Sequence, residues 1–323
     1  RQPYFQRIFQ ALDPDIIALQ EHSEWDEIGD IISNWFPNDI WYQGYTFRDL
    51  VILSKYPILE EANLISSERS MCSLLEIDNP NQPYVLIINS HLSCCDNDND
   101  RQEQVDELVQ VLREWILYGD GPFDLPDNTP IFNVGDLNFV GYQQQISTVT
   151  LGDIYDESSY GNDFPLDWDG SSATDLFSRH THKRMGYTWR NDGSSYNPGK
   201  LDYIIYTDSN LSISKHFVLN TLAIPNSTLV EWGLEADDTN EASDHLPRIA
   251  DFILNDLEVS EETSIAHNFS LHEPYPNPFN PRVNIPIHLD RKAYIQLNIY
   301  DIHGRYVTTL ADDVFTSGST LFY

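Results

Sequence analysis

Residues able to do chemistry recur where short apolar runs end or begin. Glu21 follows Ile16 to Leu19, His91 follows Tyr84 to Ser90, and Asp136 and Asn138 follow Pro130 to Val134. Asp202 opens Leu201 to Tyr206, while Asp244 and His245 directly precede Arg248 to Ile253. In a mixed sheet the start of one strand lies beside the end of its antiparallel neighbour, so all these groups can share one rim. Several carboxylates with one carboxamide suit a hard divalent cation, magnesium or manganese; magnesium keeps waters and takes phosphate oxygens beside one or two carboxylates. A carboxylate partner, Asp202 or Asp244, would raise the basicity of His245 and let it take a proton from water. Gly135 allows a sharp turn before Asp136. Taken singly, each acidic residue is more often a turn or solvated residue, and His91 a hydrogen-bonded packing residue.

The elements that must position these groups follow from apolar spacing. Phe5, Ile8, Phe9 and Leu12 predict a helix over residues 3 to 12, stopped at Asp13-Pro14-Asp15 before the strand Ile16 to Leu19. A second helix carries Trp25, Ile28, Ile31, Ile32 and Trp35, and Leu50 to Leu53 reads as a strand. Met71 to Ile77 and Tyr84 to Ser90 flank a turn-rich segment and predict a hairpin. Residues 101 to 116 form the clearest amphipathic helix, with Val105, Leu108, Val109, Leu112, Trp115 and Ile116 on one face. Further strands are expected at Pro130 to Val134, Tyr187 to Arg190, Leu201 to Tyr206, Lys215 to Leu219 and Arg248 to Ile253. Clear helix patterns fall in the first half only, so the expectation is a layered α/β or α+β sandwich with a mixed sheet. Composition changes after Asn255: residues 256–269 read as a linker, and 270–323 as a small all-β module with alternating runs at Val283 to Leu289 and Tyr294 to Tyr300.

The 323 residues carry 51 Asp and Glu against 18 Lys and Arg, a net charge of −33. Such a chain repels polyanions at long range, so nucleic acid is a substrate only with a local basic patch or bound cations. Arg179, Lys183, Arg184 and Arg190, with His180 and His182 among them, make the one such patch, able to contact a substrate's anionic groups or to balance nearby Asp. Hydrophobic residues at 41% support a packed interior, and no apolar run reaches the roughly eighteen residues of a membrane span. No signal-peptide pattern follows Arg1, so any export signal has been removed or was never part of this sequence. Of the three cysteines, Cys94 and Cys95 are adjacent, an awkward geometry for a mutual bridge; plain thiols or one bridge from Cys72 to either are expected. Asp96, Asp98, Asp100 and Glu107 have calcium-loop spacing, but Arg101 stands where that loop needs Gly, which favours a solvated acidic loop capping a helix.

Six blocks, in order, resemble the endonuclease/exonuclease/phosphatase superfamily, the group of deoxyribonuclease I. They are Pro14 to Glu21 (PDIIALQE), Asn89 to Leu92 (NSHL), Gly135 to Asn138 (GDLN), Thr188-Trp189, Lys200 to Ile204 (KLDYI) and Ser243 to Pro247 (SDHLP). The resemblance implies, for residues 1–255, a four-layer α/β/β/α sandwich of two mixed sheets and metal-dependent hydrolysis of a phosphoester by water. It implies Glu21 as metal holder, with Asp244 assigned beside it. Asp136 and Asn138 would position nucleophile and phosphate, His245 with Asp202 or Asp244 would be base or phosphate ligand, and His91 a phosphate contact or acid. Which residue is base and which acid stays open. The family's first strand, ending in an Asn, would lie before Arg1, and Lys200 stands where Arg is usual, losing the bidentate fork.

Tyr275 to Pro281 (YPNPFNP) and Ile299 to Arg305 (IYDIHGR) resemble the C-terminal sorting domain of type IX secretion, whose last strands would lie beyond Tyr323. That resemblance implies a secreted or cell-surface protein and the type IX machinery as partner; a carbohydrate-binding or spacer β-module is the alternative. The expected activity is an extracellular nuclease. The alternatives are a phospholipase C-like or phosphomonoester hydrolase and a non-catalytic surface-binding module. The sequence leaves the oligomeric state open.

Overall fold

The computed structural model describes residues 1–22, 27–255, 269–271, 274, 283–289, 293–300, 306–316 and 318–322, in two compact units, Arg1–Glu258 and Val259–Tyr323. The first unit runs α1 (Gln2–Leu12), β1 (Ile16–Leu19), α2 (Ile28–Trp35), β2 (Tyr42–Gln43), β3 (Val51–Ser54), β4 (Ile58–Asn63), β5 (Ser70–Glu76) and β6 (Tyr84–His91). It continues with α3 (Asp98–Tyr118), β7 (Ile131–Asp136), α4 (Gln143–Leu151), α5 (Glu157–Tyr160), β8 (Thr174–Asp175), β9 (Asp202–Tyr206), β10 (Leu211–Val218), α6 (Asn226–Trp232), α7 (Asp238–Ala242) and β11 (Arg248–Leu254). One sheet has the order β4-β5-β6-β7-β9-β8 and is mixed: β6 and β7 run parallel, and its other neighbours antiparallel. The second β layer consists of β1-β3-β2 and the β10-β11 pair, each antiparallel.

Period-two alternation sorts each strand's side chains between two cores, and this builds the layers. Leu86 and Ile88 of β6 and Tyr203 and Ile205 of β9 point to a core shared with Val105, Leu108, Val109 and Leu112 of α3. Their neighbours Val85, Ile87, Ile204 and Tyr206 point the other way, onto Leu50, Ile52, Leu211 and Phe252 of the second layer. That layer turns Val51, Leu53 and Ile17 outward onto Ile8 and Phe9 of α1, Ile28 and Ile32 of α2, and Leu229 of α6. Helix, sheet, sheet, helix is the expected four-layer sandwich, with three cores between its layers.

The differences from expectation have local causes. The second half does carry helices, α6 and α7, but at seven and five residues they are too short to repeat an apolar stripe. Tyr187 to Arg190 is no strand; Trp189 makes single bridges to Gly199 and His245. Trp25 and most of the expected linker lie outside the described residues. The calcium-loop spacing does not build a loop: α3 begins at Asp98, whose carboxylate pairs with Arg101, while Glu107 accepts from Ser66 N and Oγ.

In the second unit, β12 (Phe269–Leu271), β13 (Ile285–Leu289) and β16 (Gly318–Phe322) form one antiparallel sheet, and β14 (Ala293–Tyr300) and β15 (Tyr306–Phe315) another. Ile285, Ile287 and Leu289 alternate inward, as their spacing predicts. The YPNPFNP block and residues 301–305 lie outside the described residues. Among those described, no helix is long and apolar enough to cross a membrane.

Candidate active site

Three neighbouring strands set out the first row of the site. Parallel pairing of β6 with β7 places His91 opposite Asp136, and antiparallel pairing of β7 with β9 places Asp136 opposite Asp202. Gly135 makes that row possible. Its φ is +124°, and a Cβ there would stand 2.1 Å from the carbonyl oxygen of Ser90. Just past β7, Asn138 turns back in the left-handed region at φ 52°; its backbone N–H donates to Asp136 Oδ1 at 3.0 Å and its Nδ2 to Asp136 Oδ2 at 3.0 Å. Nδ2 also donates to the Leu92 carbonyl at 3.1 Å, so the carboxamide is clamped between two strand ends.

His245 reaches this row through a strap. Thr188 Oγ1 accepts from Leu201 N and Asp202 N, each at 3.0 Å, while the Thr188 carbonyl accepts from Leu246 N at 2.6 Å. Asp202 consequently meets the His245 ring, with Oδ2 3.0 Å and Oδ1 3.2 Å from Nδ1. His245 Nε2 then stands 3.9 Å from Asp136 Oδ2. From the opposite side, His91 Nε2 stands 3.7 Å from the same oxygen. His91 Nδ1 is bonded to Asp49, a residue absent from the sequence-level candidates. Asp49 immediately precedes an apolar run, like Asp202, and that was the available signal.

The second β layer supplies Glu21, which follows β1 at φ 56° with its carboxylate 70% exposed and Oε1 3.9 Å from His91 Nε2. Asn89 fastens the layers beneath it, donating through Nδ2 to the carbonyls of Leu19 and Val51 and accepting from Gln20 Nε2 at 2.6 Å. Strained left-handed residues at Glu21 and Asn138 persist because these bonds over-determine them.

Electrostatics follow from burial beside like charge. Burial, then Asp202, pushes the Asp136 carboxyl up to about 7 against the opposing pull of His245 and His91. Burial disfavours the His245 cation, but the bond to Asp202 and the charges of Asp202, Asp136 and Asp244 outweigh it and raise the ring to about 9. His91 is likewise raised by Asp49 against its own burial, and Asp49 is lowered by His91 despite burial.

Glu21, Asp49, His91, Asp136, Asn138, Asp202 and His245 therefore make one connected cluster. Asp244 makes no hydrogen bond to this cluster among those observed; its Oδ2 accepts from Trp189 Nε1 at 3.1 Å, and its charge acts on His245. Of the basic stretch, Arg179, Lys183, Arg184 and Arg190 are exposed, with Arg190 paired to Asp192, while His180 is buried with Nε2 on the Tyr187 carbonyl. Lys200 is tied to Asp175 and lies 4.0 Å over the Tyr203 ring. Among the described residues, no three His, Cys, Asp or Glu form a ready cage for an ion. The donors present fit the other arrangement, a water-rich magnesium-type site with one exposed carboxylate, Glu21, beside a buried one that a cation would relieve of repulsion.

Comparison with solved structures identifies the fold. ANGEL2, described as a 2′,3′-cyclic phosphatase and solved with adenosine-2′,3′-vanadate, matches with a TM-score of 0.51 at 18% identity, covering 78% of this chain and 85% of its own. A mannosyl-6-phosphatase of Bacteroides thetaiotaomicron matches at 0.50 and 16% identity, covering 79% and 91%. An endonuclease/exonuclease/phosphatase protein of Beutenbergia cavernae matches at 0.48 and 14%, covering 99% and 86%. The chain shares its fold with the first two of these, both described as phosphatases. No curated protein sequence matches the chain. Residues 273–320 match the secretion system C-terminal sorting domain, which marks the chain for secretion or the cell surface.

Proposed function

We propose that the first unit is a secreted, divalent-metal-dependent phosphoester hydrolase, delivered by the type IX machinery. The observation that carries this reading is the convergence of His91 Nε2 and His245 Nε2 on Asp136 Oδ2 from opposite sides, at 3.7 and 3.9 Å. Two imidazoles, each tied at Nδ1 to a carboxylate, present their other nitrogens toward the same Asp136 oxygen, where a phosphate could take hydrogen bonds and exchange protons.

In this reading Asp202 fixes the His245 ring so that Nε2 faces the substrate, and Asp49 does the same for His91. One imidazole takes the proton of the attacking water, and the other donates to a phosphate or leaving-group oxygen. Asp136 and Asn138 orient the water and the phosphate. Magnesium or manganese, when bound at Glu21, neutralises charge on the phosphate oxygens. The exposed Arg179, Lys183 and Arg184 meet the substrate's outlying anionic groups.

A short phosphoester suits this chain better than a long nucleic acid, because a net charge of −33 opposes polyanion approach. The two phosphatases that share the fold favour the same choice. The extracellular nuclease reading is retained as the second, on the strength of the exposed basic stretch. Assaying the protein against a 2′,3′-cyclic nucleotide, a sugar phosphate, sphingomyelin, inositol phosphates, DNA and RNA, with magnesium and with EDTA, tests it. Hydrolysis of a small phosphoester that EDTA abolishes is expected; no turnover of any of them overturns it.

A further inference from the structure

The loop after His91 and Leu92 holds two thiols that the site chemistry does not use. Cys94 and Cys95 are both exposed free thiols, and their Sγ atoms are in direct contact, 2.7 Å apart. Adjacency alone made a mutual bridge an unfavourable expectation, with Cys72 as the better partner. In the structure all three cysteines are free, as the plain-thiol expectation has it, and Cys72 is fully buried within β5.

The loop backbone is built to hold the pair. Arg101, 0% exposed, donates through Nη1 to the carbonyls of Ser93 at 2.6 Å and Cys95 at 3.0 Å, while Nη2 is paired with Asp98. Asn97 Nδ2 donates to the Cys94 carbonyl at 2.8 Å. All three carbonyls from Ser93 to Cys95 are thus anchored, and Cys95 is held in the left-handed region at φ 64°, a conformation a side-chain-bearing residue adopts only under constraint. The ordering entropy that closing a ring through one peptide bond would demand is already spent by the fold. The sorting domain sends the chain to where disulfides persist.

We propose that Cys94 and Cys95 form an oxidative modification site, closing to a vicinal disulfide by exchange with a small extracellular disulfide. One thiol loses its proton and attacks a sulfur of the external disulfide, expelling one external thiolate and leaving a mixed disulfide. The neighbouring thiolate then attacks the protein-bound sulfur and expels the second. The protein gives up two protons and two electrons, and the external disulfide becomes two thiols. The hydrogen bond to Cys94, with burial and the charge of Asp96, raises the Cys95 thiol above its ordinary value, so exchange runs faster at alkaline pH.

The test uses the full chain and needs no phosphoester assay, so its outcome is separate from that of the hydrolase reading. Reduced protein is incubated with oxidised glutathione, and intact mass and thiol titre are measured. Expected is a monomer two hydrogens lighter than the reduced form, without adduct. It should have no thiol titrating natively and one, Cys72, in guanidinium, and dithiothreitol should restore the other two. Cys94→Ser, left with one exposed thiol, should end as a glutathione adduct. Accumulated adduct on the wild type, a disulfide-linked dimer, a bridge mapped to Cys72, two thiols persisting, or a Cys94→Ser protein that takes no glutathione would each overturn it.

Discussion

Both carboxylate oxygens of Asp202 lie against the Nδ1 edge of His245, at 3.2 and 3.0 Å, and of the influences that raise the ring against its burial this contact is the largest. In metal-free protein the His245 ring is expected to titrate near 9, by imidazole NMR. Asp202→Asn should bring it down, because the neutral amide removes both the charged hydrogen bond and the nearest negative charge. The folded value lies above the ordinary 6.5, so the stabilisation is fully present below about 6.5 and lost as pH rises through about 9. The wild-type denaturation midpoint should fall over that window, and the Asp202→Asn midpoint should fall less.

Asp49 stands to His91 as Asp202 does to His245. Asp49→Asn should keep the fold, since its carboxylate is not part of a core, yet lower kcat about 10- to 100-fold, the usual cost of losing a partner that orients a ligand or catalytic ring. An unchanged KM alongside the lower kcat would mark a positioning role, and His91→Ala in the same assay gives the upper limit.

Gly135 tests the backbone beneath the row. Ala there meets the Ser90 carbonyl and takes up a disfavoured φ of +124°, so Gly135→Ala should cost about 1–3 kcal/mol in chemical denaturation. Ser90 and Gly135 are directly opposed in β6 and β7, so the shift should also displace His91 and Asp136 and lower activity.

Much of this was legible because strand ends carry their own signal. The residues of the His91, Asp136 and Asp202 row lie at the ends of apolar runs, and β-pairing turns that into a row. Asp49 was missed although it opens a run in the same way, because its partner lies in another layer and pairing across layers leaves no periodic trace. Asp244, next to His245 in sequence, is engaged differently. Its carboxylate accepts from Trp189 Nε1, while its charge still helps to raise the His245 ring. The closeness of Cys94 and Cys95 could not be read from the sequence, because chain adjacency says nothing of Arg101 and Asn97, which hold the carbonyls of that loop.

The exposed basic stretch should act on binding rather than turnover. Charge reversal at Arg179 and Arg184 is expected to raise KM for an anionic substrate several-fold, with kcat little changed and the effect shrinking in high salt. An unchanged KM across phosphoesters would make these side chains solvated surface charges only.

Whether the clustered imidazoles and carboxylates perform phosphoester hydrolysis is tested most directly by kcat of wild type and His245→Ala on one small phosphoester in magnesium, with folding of both checked by circular dichroism. The account predicts turnover by the wild type and a loss of about 10²- to 10⁴-fold in the folded variant. A folded His245→Ala protein as fast as the wild type would contradict it.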